Sequence, residues 1–399
     1  MSATSIVKSH IAGTVRRSQT CETVLAIQDT TDLDFTSHPA TEGLGYLNQT
    51  KQQGLKVHNT FAVSGQGEPL GLLGQNTWVR ETAPTSKKGR QVADRNNNKP
   101  IEEKESNRWL TSLRTSEIHL PGPTHVVHIG DREADIFELF AQSRRPNSDL
   151  LIRAKTNRTL KHEVGKLFPT LATSPVLGEL DVTVRRTPQR PKRTAHVTIR
   201  ALTVMLEVPN HLTKQRPELM PLELNALLVE ETTPPSDGGK PIGWKLLTSL
   251  PLDSFEQACQ CIRWYSYRWL IERFHYTLKS GCKLEDLQLQ QGERLLKALA
   301  TYSIVAWRLM AMTYLARLTP DVSCETIFRP DEWRLLRRKF SPKSRSKKPP
   351  TLQQATIWLA RLGGFLNRKG DGDPGVKTLW RGYTKLSTLL EGAKLANQS

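Results

Sequence analysis

Cysteine is scarce in this sequence: five residues in 399 (Cys21, Cys259, Cys261, Cys282 and Cys324). An odd, sparse set cannot form a disulfide framework, and it fits a reducing cytosol rather than a secreted protein. Cys259 and Cys261 make a single C-x-C without a second matched pair, and His10, His125, His128 and His275 show no i,i+4 ligand spacing. A zinc site built on thiolates or imidazoles is therefore not indicated. Residues 1–17 lack the apolar core of a signal peptide. Leu295–Leu318, the most hydrophobic segment, is interrupted by Lys297, Arg308 and Arg317, so no run reaches the roughly 18 uncharged residues of a membrane span. Internal repeats and long low-complexity tracts are also missing. Acidic residues are outnumbered: 57 Lys plus Arg against 39 Asp plus Glu leave a formal charge of +18, which makes a polyanion the expected partner, with nucleic acid ahead of an anionic membrane surface.

The length allows two or three structural units around a sizeable core. Apolar or alternating runs bounded by Gly, Pro and polar turns predict strands over 24–27, 55–63, 70–73, 125–129 and 150–153, with helical spacing over 104–113 and 134–143. Residues 80–100, rich in Lys, Arg, Asn and Thr, read as an exposed loop. Three early strands followed by alternating helices and strands suggest a mixed sheet covered by helices. From 176 to 250 the pattern turns to β, with strands expected over 182–184, 195–206, 224–230 and 244–249. Helix returns over 255–281 and 293–318. A basic, Pro-bounded linker lies at 341–350, and amphipathic helices follow over 352–365 and 376–395.

Two aspartates end apolar strands: Asp29 in VLAIQDTTDLDF and Asp131 in HVVHIGDREADIFELF. Strand tips are where α/β sheets bind ligands, although an isolated Asp there is also a common turn former or helix cap. Tyr265, Arg268, Glu272 and Lys279 sit at offsets that place all four on one face of a helix of about 3.6 residues per turn. Taken alone, such a face also describes an exposed salt-bridged stripe, since Arg268 and Glu272 form an i,i+4 pair.

Together these elements resemble the insertion-sequence-four family of DDE cut-and-paste DNA transposases, the Tn-five-like group. Tyr265, Arg268, Glu272 and Lys279 match its YREK signature, Y-x2-R-x3-E-x6-K, at every spacing. Asp29 lies in the QDTT context and Asp131 in the DREAD context of the family's first two catalytic aspartates. The likeness extends through EKES (residues 103–106), RAK (153–155) and LARLGGF (359–365). It implies an α/β fold with an RNase H-like catalytic core, an inserted β-rich subdomain and an all-α C-terminal region. The expected divisions are a remnant N-terminal helix or linker at 1–21, the core at 22–175 and 251–320 around the insertion at 176–250, a basic linker at 321–350 and a helical dimerisation region at 351–399.

The resemblance further implies that Asp29, Asp131 and Glu272 are catalytic and hold two Mg²⁺ or Mn²⁺ ions, the donor set expected of hard oxygen ligands. Tyr265, Arg268, Lys279, Arg153 and Lys155 are expected to hold phosphates, with ordinary strand-edge charge as the other reading of Arg153 and Lys155. Trp244, 28 residues before Glu272, stands where the family carries an aromatic for a flipped base. Trp269 is a candidate wedge, and core packing is the alternative for both. The implied partners are double-stranded DNA, at transposon ends and target, and a second copy bound through the C-terminal helices, with no membrane. The implied location is a bacterial cytoplasm, at the nucleoid. Two departures are visible. Family members often carry a lysine four residues after the glutamate, where Tyr276 stands. They also carry a helical end-recognition domain that residues 1–28 are too few to encode, so a truncated form that inhibits a full-length partner by heterodimerisation is the rival expectation. Charge at Arg185, Arg186, Arg190, Lys192 and Arg193, and over 337–348, is expected to contact phosphates without reading sequence.

Overall fold

The computed structural model describes residues 1–83, 99–161, 165–184, 193–233, 235 and 238–396. Most of the basic loop expected over 80–100, and Arg185, Arg186, Arg190 and Lys192, lie outside the described residues. The chain opens with α1 (Ala3–Ser18), then β1 (Thr23–Asp34), β2 (Gly45–Tyr46), β3 (Gln53–Ser64) and β4 (Pro69–Trp78). Helix α2 (Asn107–His119), β5 (His125–Gly130), α3 (Phe137–Ala141), β6 (Ser148–Arg153) and α4 (Leu167–Thr173) follow. Next come β7 (Val176–Val184), β8 (Arg193–Leu206), α5 (Asn210–Thr213), β9 (Leu222–Glu231) and β10 (Gly243–Thr248). The remainder is helical: α6 (Phe255–Ser266), α7 (Trp269–Tyr276), α8 (Gly292–Leu318), α9 (Pro330–Phe340), α10 (Leu352–Leu362) and α11 (Val376–Ala396).

One open mixed sheet of ten strands runs β2-β3-β1-β5-β6-β10-β9-β8-β7, with β4 also on β3. Strands β1, β3 and β4 are antiparallel, whereas β1, β5 and β6 are parallel. Residues 24–28 of β1 are buried without interruption, as expected of a central strand covered on both faces. Along β6, Leu151 joins the core under α6–α11 while Leu150 and Ile152 join the core under α2 and α3, the period-two partition of a two-faced sheet. The four β-rich strands do not close on themselves. β10 pairs antiparallel with β6, Leu247 opposite Ile152, so β7–β10 extend the core sheet and β7 is its outer edge.

Several expected elements change on folding. The helix expected from Lys104 begins at Asn107, after a 3-10 turn at Ile101–Glu103. The one expected over 134–143 shrinks to α3, preceded by a 3-10 turn at Arg132–Ala134. Within the expected linker 321–350 lies α9, which buries Trp333, Leu336 and Glu332; its surrounding arginines masked the apolar stripe. Residues 341–350 lack helix and strand. In α11, Leu379, Leu386 and Leu390 are buried but Leu389 is 44% exposed. Helix α8 is long and apolar enough to cross a membrane, and half of its most apolar stretch is buried inside the protein, against α1, β4, α10 and α11.

Helix α1 is part of the core rather than a tail. It packs on β4 at Gly71, whose φ of +138° and contact with Thr14 leave no room for a side chain. Arg17 Nε donates to Leu70 O at 2.6 Å, and the Leu72 N–H donates to His10 Nε2 at 3.2 Å. Burial, and then the charge of Arg17, push the His10 pKa down from 6.5 to about 3. A depressed histidine contributes stability above its unfolded pKa that is lost as pH falls, here through the window from 6.5 toward 3. His10→Gln keeps an acceptor without a basic ring. The thermal midpoint of wild type minus that of H10Q is therefore expected to become more negative between pH 7 and pH 4; an unchanged difference would disprove the linkage.

Candidate active site

Asp29, expected at a strand tip, instead lies within β1, which runs on to Asp34 against β3. The parallel pairing of β1 with β5 ends at Ile27 opposite Ile129, which sets Asp29 near Asp131, just past the end of β5. Asp131 Oδ1 accepts the Glu133 N–H at 2.8 Å and caps the 3-10 turn that follows. Asp29 Oδ1 accepts the Thr30 N–H at 2.8 Å, and its Oδ2 lies 3.7 Å from His275 Nδ1. Burial, reinforced by the charge of Asp131, pushes the Asp29 carboxyl up to about 7; Arg268 and the Thr30 N–H oppose the rise, and Glu272 adds to it. Asp131 and Glu272, the other two sequence-predicted carboxylates, thus both act on Asp29.

The helix that carries Glu272 is not the single rod expected over 255–281. It breaks at Tyr267 and Arg268, where N–H groups reach back three residues to Trp264 and Tyr265, and it ends in a π-helical turn at Thr277–Gly281. The cause is tertiary. Trp264 Nε1 and Tyr267 Oη both donate at 3.3 Å to the β3–β4 turn, at Gly65 O and Gln66 O. The common face of Tyr265, Arg268, Glu272 and Lys279 is consequently split. Arg268 pairs with Glu272, while Lys279 turns toward β1, donating to Asp32 O at 2.7 Å and pairing with Glu285 at 3.2 Å.

A cleft of about 1020 Å³ opens between β7 and α6–α7, and Arg153, Trp244, Tyr265, Arg268, Trp269 and Glu272 line it. Lys155 and Lys279 do not. Trp244 meets Tyr265 edge-on at 5.3 Å, and Trp269 packs beside Tyr314 at 5.8 Å. Arg153 Nη2 donates to Gly243 O at 3.0 Å. Beside Lys155, Asp135 ties the loop after β6 through the Lys155 and Thr156 N–H groups, at 2.7 and 2.6 Å. The Tyr265 hydroxyl is buried beside Arg153. Burial holds its pKa above the ordinary value against the opposing charges of Arg268 and Arg153. A buried hydroxyl near two guanidinium groups suits contact with an anionic oxygen.

Among the described residues, no three carboxylate, imidazole or thiolate side chains stand close enough to enclose an ion, and Glu272 lies against Arg268. The donor chemistry nonetheless fits hard divalent cations. The three acids supply oxygen ligands, and their mutual repulsion at Asp29 is the charge that such a cation offsets.

Sequence patterning missed His275, buried on α7, whose pKa burial and then Lys279 push down to about 3. It also missed Asn59, Gln75 and Arg108. Arg108 donates to Thr30 Oγ1 at 2.9 Å and pairs with Glu133 at 2.7 Å, linking the segments that carry both aspartates. Their one signal was polarity inside an apolar run: Asn59 is fully buried within β3.

Comparison with known families yields two matches. The family model described as "Transposase DDE domain" matches residues 100–308, more than half of the chain, and includes Asp131 and Glu272. The model described as "Transposase Tn5 dimerisation domain" matches residues 304–399, which include α9, α10 and α11.

Proposed function

The chain belongs to the DDE transposase family, and from that premise we propose that it cuts and joins DNA at transposon ends by metal-dependent nicking, hairpin formation and strand transfer. The observation that carries this reading is that Asp131, Glu272 and Arg268 all lie near enough to the partly buried Asp29 carboxylate to act on it electrostatically, beside a cleft that holds the buried Tyr265 hydroxyl.

Asp29, Asp131 and Glu272 are the residues to hold two Mg²⁺ or Mn²⁺ ions. Bound there, such a pair supplies activation of the attacking oxygen and stabilisation of the leaving one in an in-line displacement. Arg268, Arg153 and the Tyr265 hydroxyl bind the scissile phosphate and orient it for attack by water. That first cut leaves a 3′-hydroxyl, which then attacks the opposite strand to close the hairpin and, once the hairpin is reopened, attacks target DNA. No side chain becomes covalently attached to DNA. Lys155 and Lys279 serve phosphates farther along the backbone. Helices α10 and α11 pair two copies so that two ends are cut together.

The test uses duplexes drawn from the DNA flanking the coding sequence, incubated with the purified protein and Mg²⁺ or Mn²⁺. Nicks at a defined end, followed by hairpin products and abolished by a chelator, are expected. Absence of cleavage on every flanking duplex would overturn the proposal.

Trp244 offers the indole face for an unstacked base, an interaction of about 1–3 kcal/mol, and Trp269 is placed in the same cleft to wedge the gap left behind. Trp244→Ala is expected to slow hairpin closure about 5- to 100-fold while slowing the first nick less. A gel time course separates the two steps; equal slowing would assign Trp244 to packing against Tyr265 instead.

A further inference from the structure

Behind Asp29 runs a row of polar side chains to which the reaction above gives no role. Asp29 on β1 faces Asn59 on β3, and Asn59 faces Gln75 on β4; directly opposed residues of antiparallel strands project to the same side of a sheet. On that side, Asn59 Nδ2 lies 3.0 Å from His275 Nε2. Gln75 Nε2 donates at 2.9 Å to both Asn59 Oδ1 and Ser303 Oγ. His275, Asn59 and Ser303 are all buried, so the row crosses three strands and ends on α7 and α8. Burying this much polarity is costly unless each member is paired. Phe61 and Phe274, stacked at 5.1 Å, show that an apolar alternative fits the same layer.

The row also has a direction. Gln75 spends its amide hydrogens on Asn59 Oδ1 and Ser303 Oγ, which turns the Asn59 amide group toward His275. Nε2 must then accept, and a neutral imidazole carries its single proton on Nδ1, the nitrogen 3.7 Å from Asp29 Oδ2. The opposite orientation of both amides would set the Nδ1 lone pair against a carboxylate oxygen. At this separation the contact is electrostatic, about half an ångström longer than a hydrogen bond.

We propose that His275 is a positioning residue for Asp29: held as the Nδ1–H tautomer by the Asn59–Gln75–Ser303 row, it fixes the direction in which Asp29 presents its carboxylate to a divalent cation. This rests on the assignment of Asp29 as a metal-holding residue. Outer-sphere partners of a metal-holding side chain typically change metal affinity by about 10- to 100-fold.

Two measurements on the full chain test it. In protein labelled with ¹⁵N-histidine, the His275 ring should report the Nδ1–H tautomer without metal, and Asn59→Asp, which replaces the donor by an acceptor of the same shape, should shift it to Nε2–H. An Nε2–H ring in the wild type would overturn the proposal. Mn²⁺ affinity, read by electron paramagnetic resonance, should fall about 10- to 100-fold in His275→Leu. His275→Asn places an amide N–H where Nδ1–H was and should recover most of that loss; equal losses would show that only side-chain volume matters and would overturn the role. Should H275L fail to fold, N59D supplies the comparison, with a loss of Mn²⁺ affinity expected and none overturning. Asp29→Ala separates the premise from the inference. Affinity lost in D29A but not in H275L sinks the role of His275 alone, whereas affinity unchanged in D29A sinks the metal assignment as well.

Discussion

Alanine in place of Asp29, Asp131 or Glu272 is expected to reduce metal-dependent strand cleavage by more than about 100-fold, beyond the usual effect of losing an outer-sphere partner. On the proposed mechanism each acid supplies oxygen ligands to the ions. Stability is expected to move the other way for Asp29. Its carboxylate is partly buried and repelled by Asp131 and Glu272, so D29A removes an unfavourable charge from the metal-free protein. Non-specific DNA binding should persist in all three variants, because it draws on the surplus of Lys and Arg and not on the acids. Gel-resolved cleavage, with gel shift as the control for binding, checks the outcome. Cleavage by Asp131→Ala at the wild-type rate would remove Asp131 from the site.

The second large effect is expected far from the cleft, where α8 meets the C-terminal helices. Arg308 reaches both oxygens of Glu332, whose side chain is only 1% exposed, and also donates to Ile327 O at 2.8 Å and to Tyr383 Oη at 2.5 Å. Glu332 accepts the Arg329 N–H at 2.8 Å. The pair therefore ties α8 to α9 and α11, across the join between the two family matches. Arg308→Met leaves a buried carboxylate without its principal cation, and breaking a buried pair on one side typically costs about 3–5 kcal/mol. Replacing both partners with apolar residues is often close to neutral, so R308M combined with Glu332→Leu is expected to recover much of the loss. Urea denaturation of the single and double variants measures both terms. A single variant that loses less than about 1 kcal/mol would place the pair among weak surface bridges.

Local chemistry made part of this protein legible from its residues alone. Buried strands announce themselves as unbroken apolar runs, and Asp29 and Asp131 each follow such a run. Asp131 stands just past β5, whereas β1 continues beyond Asp29 to Asp34 because β3 keeps pairing with it. The YREK spacing likewise identified Glu272 and its arginine, because i,i+4 neighbours meet on a helix without help from distant segments. Features that depend on residues far apart in the chain were hidden. The helix expected over 255–281 breaks because Trp264 and Tyr267 are drawn to the β3–β4 turn, about two hundred positions earlier, and this break parts Lys279 from the cleft. Helix α9 reads as a basic linker until Glu332 finds Arg308. Strands β7–β10 carry period-two patterning whether they form a separate sheet or extend the first, and only the pairing of β10 with β6 decides between them. His275 looked like a lone histidine because its partners, Asn59, Gln75 and Ser303, come from two other strands and a helix. Periodicity records which way a side chain faces. What it faces is set by strand register and helix packing, which follow from the burial of the whole chain.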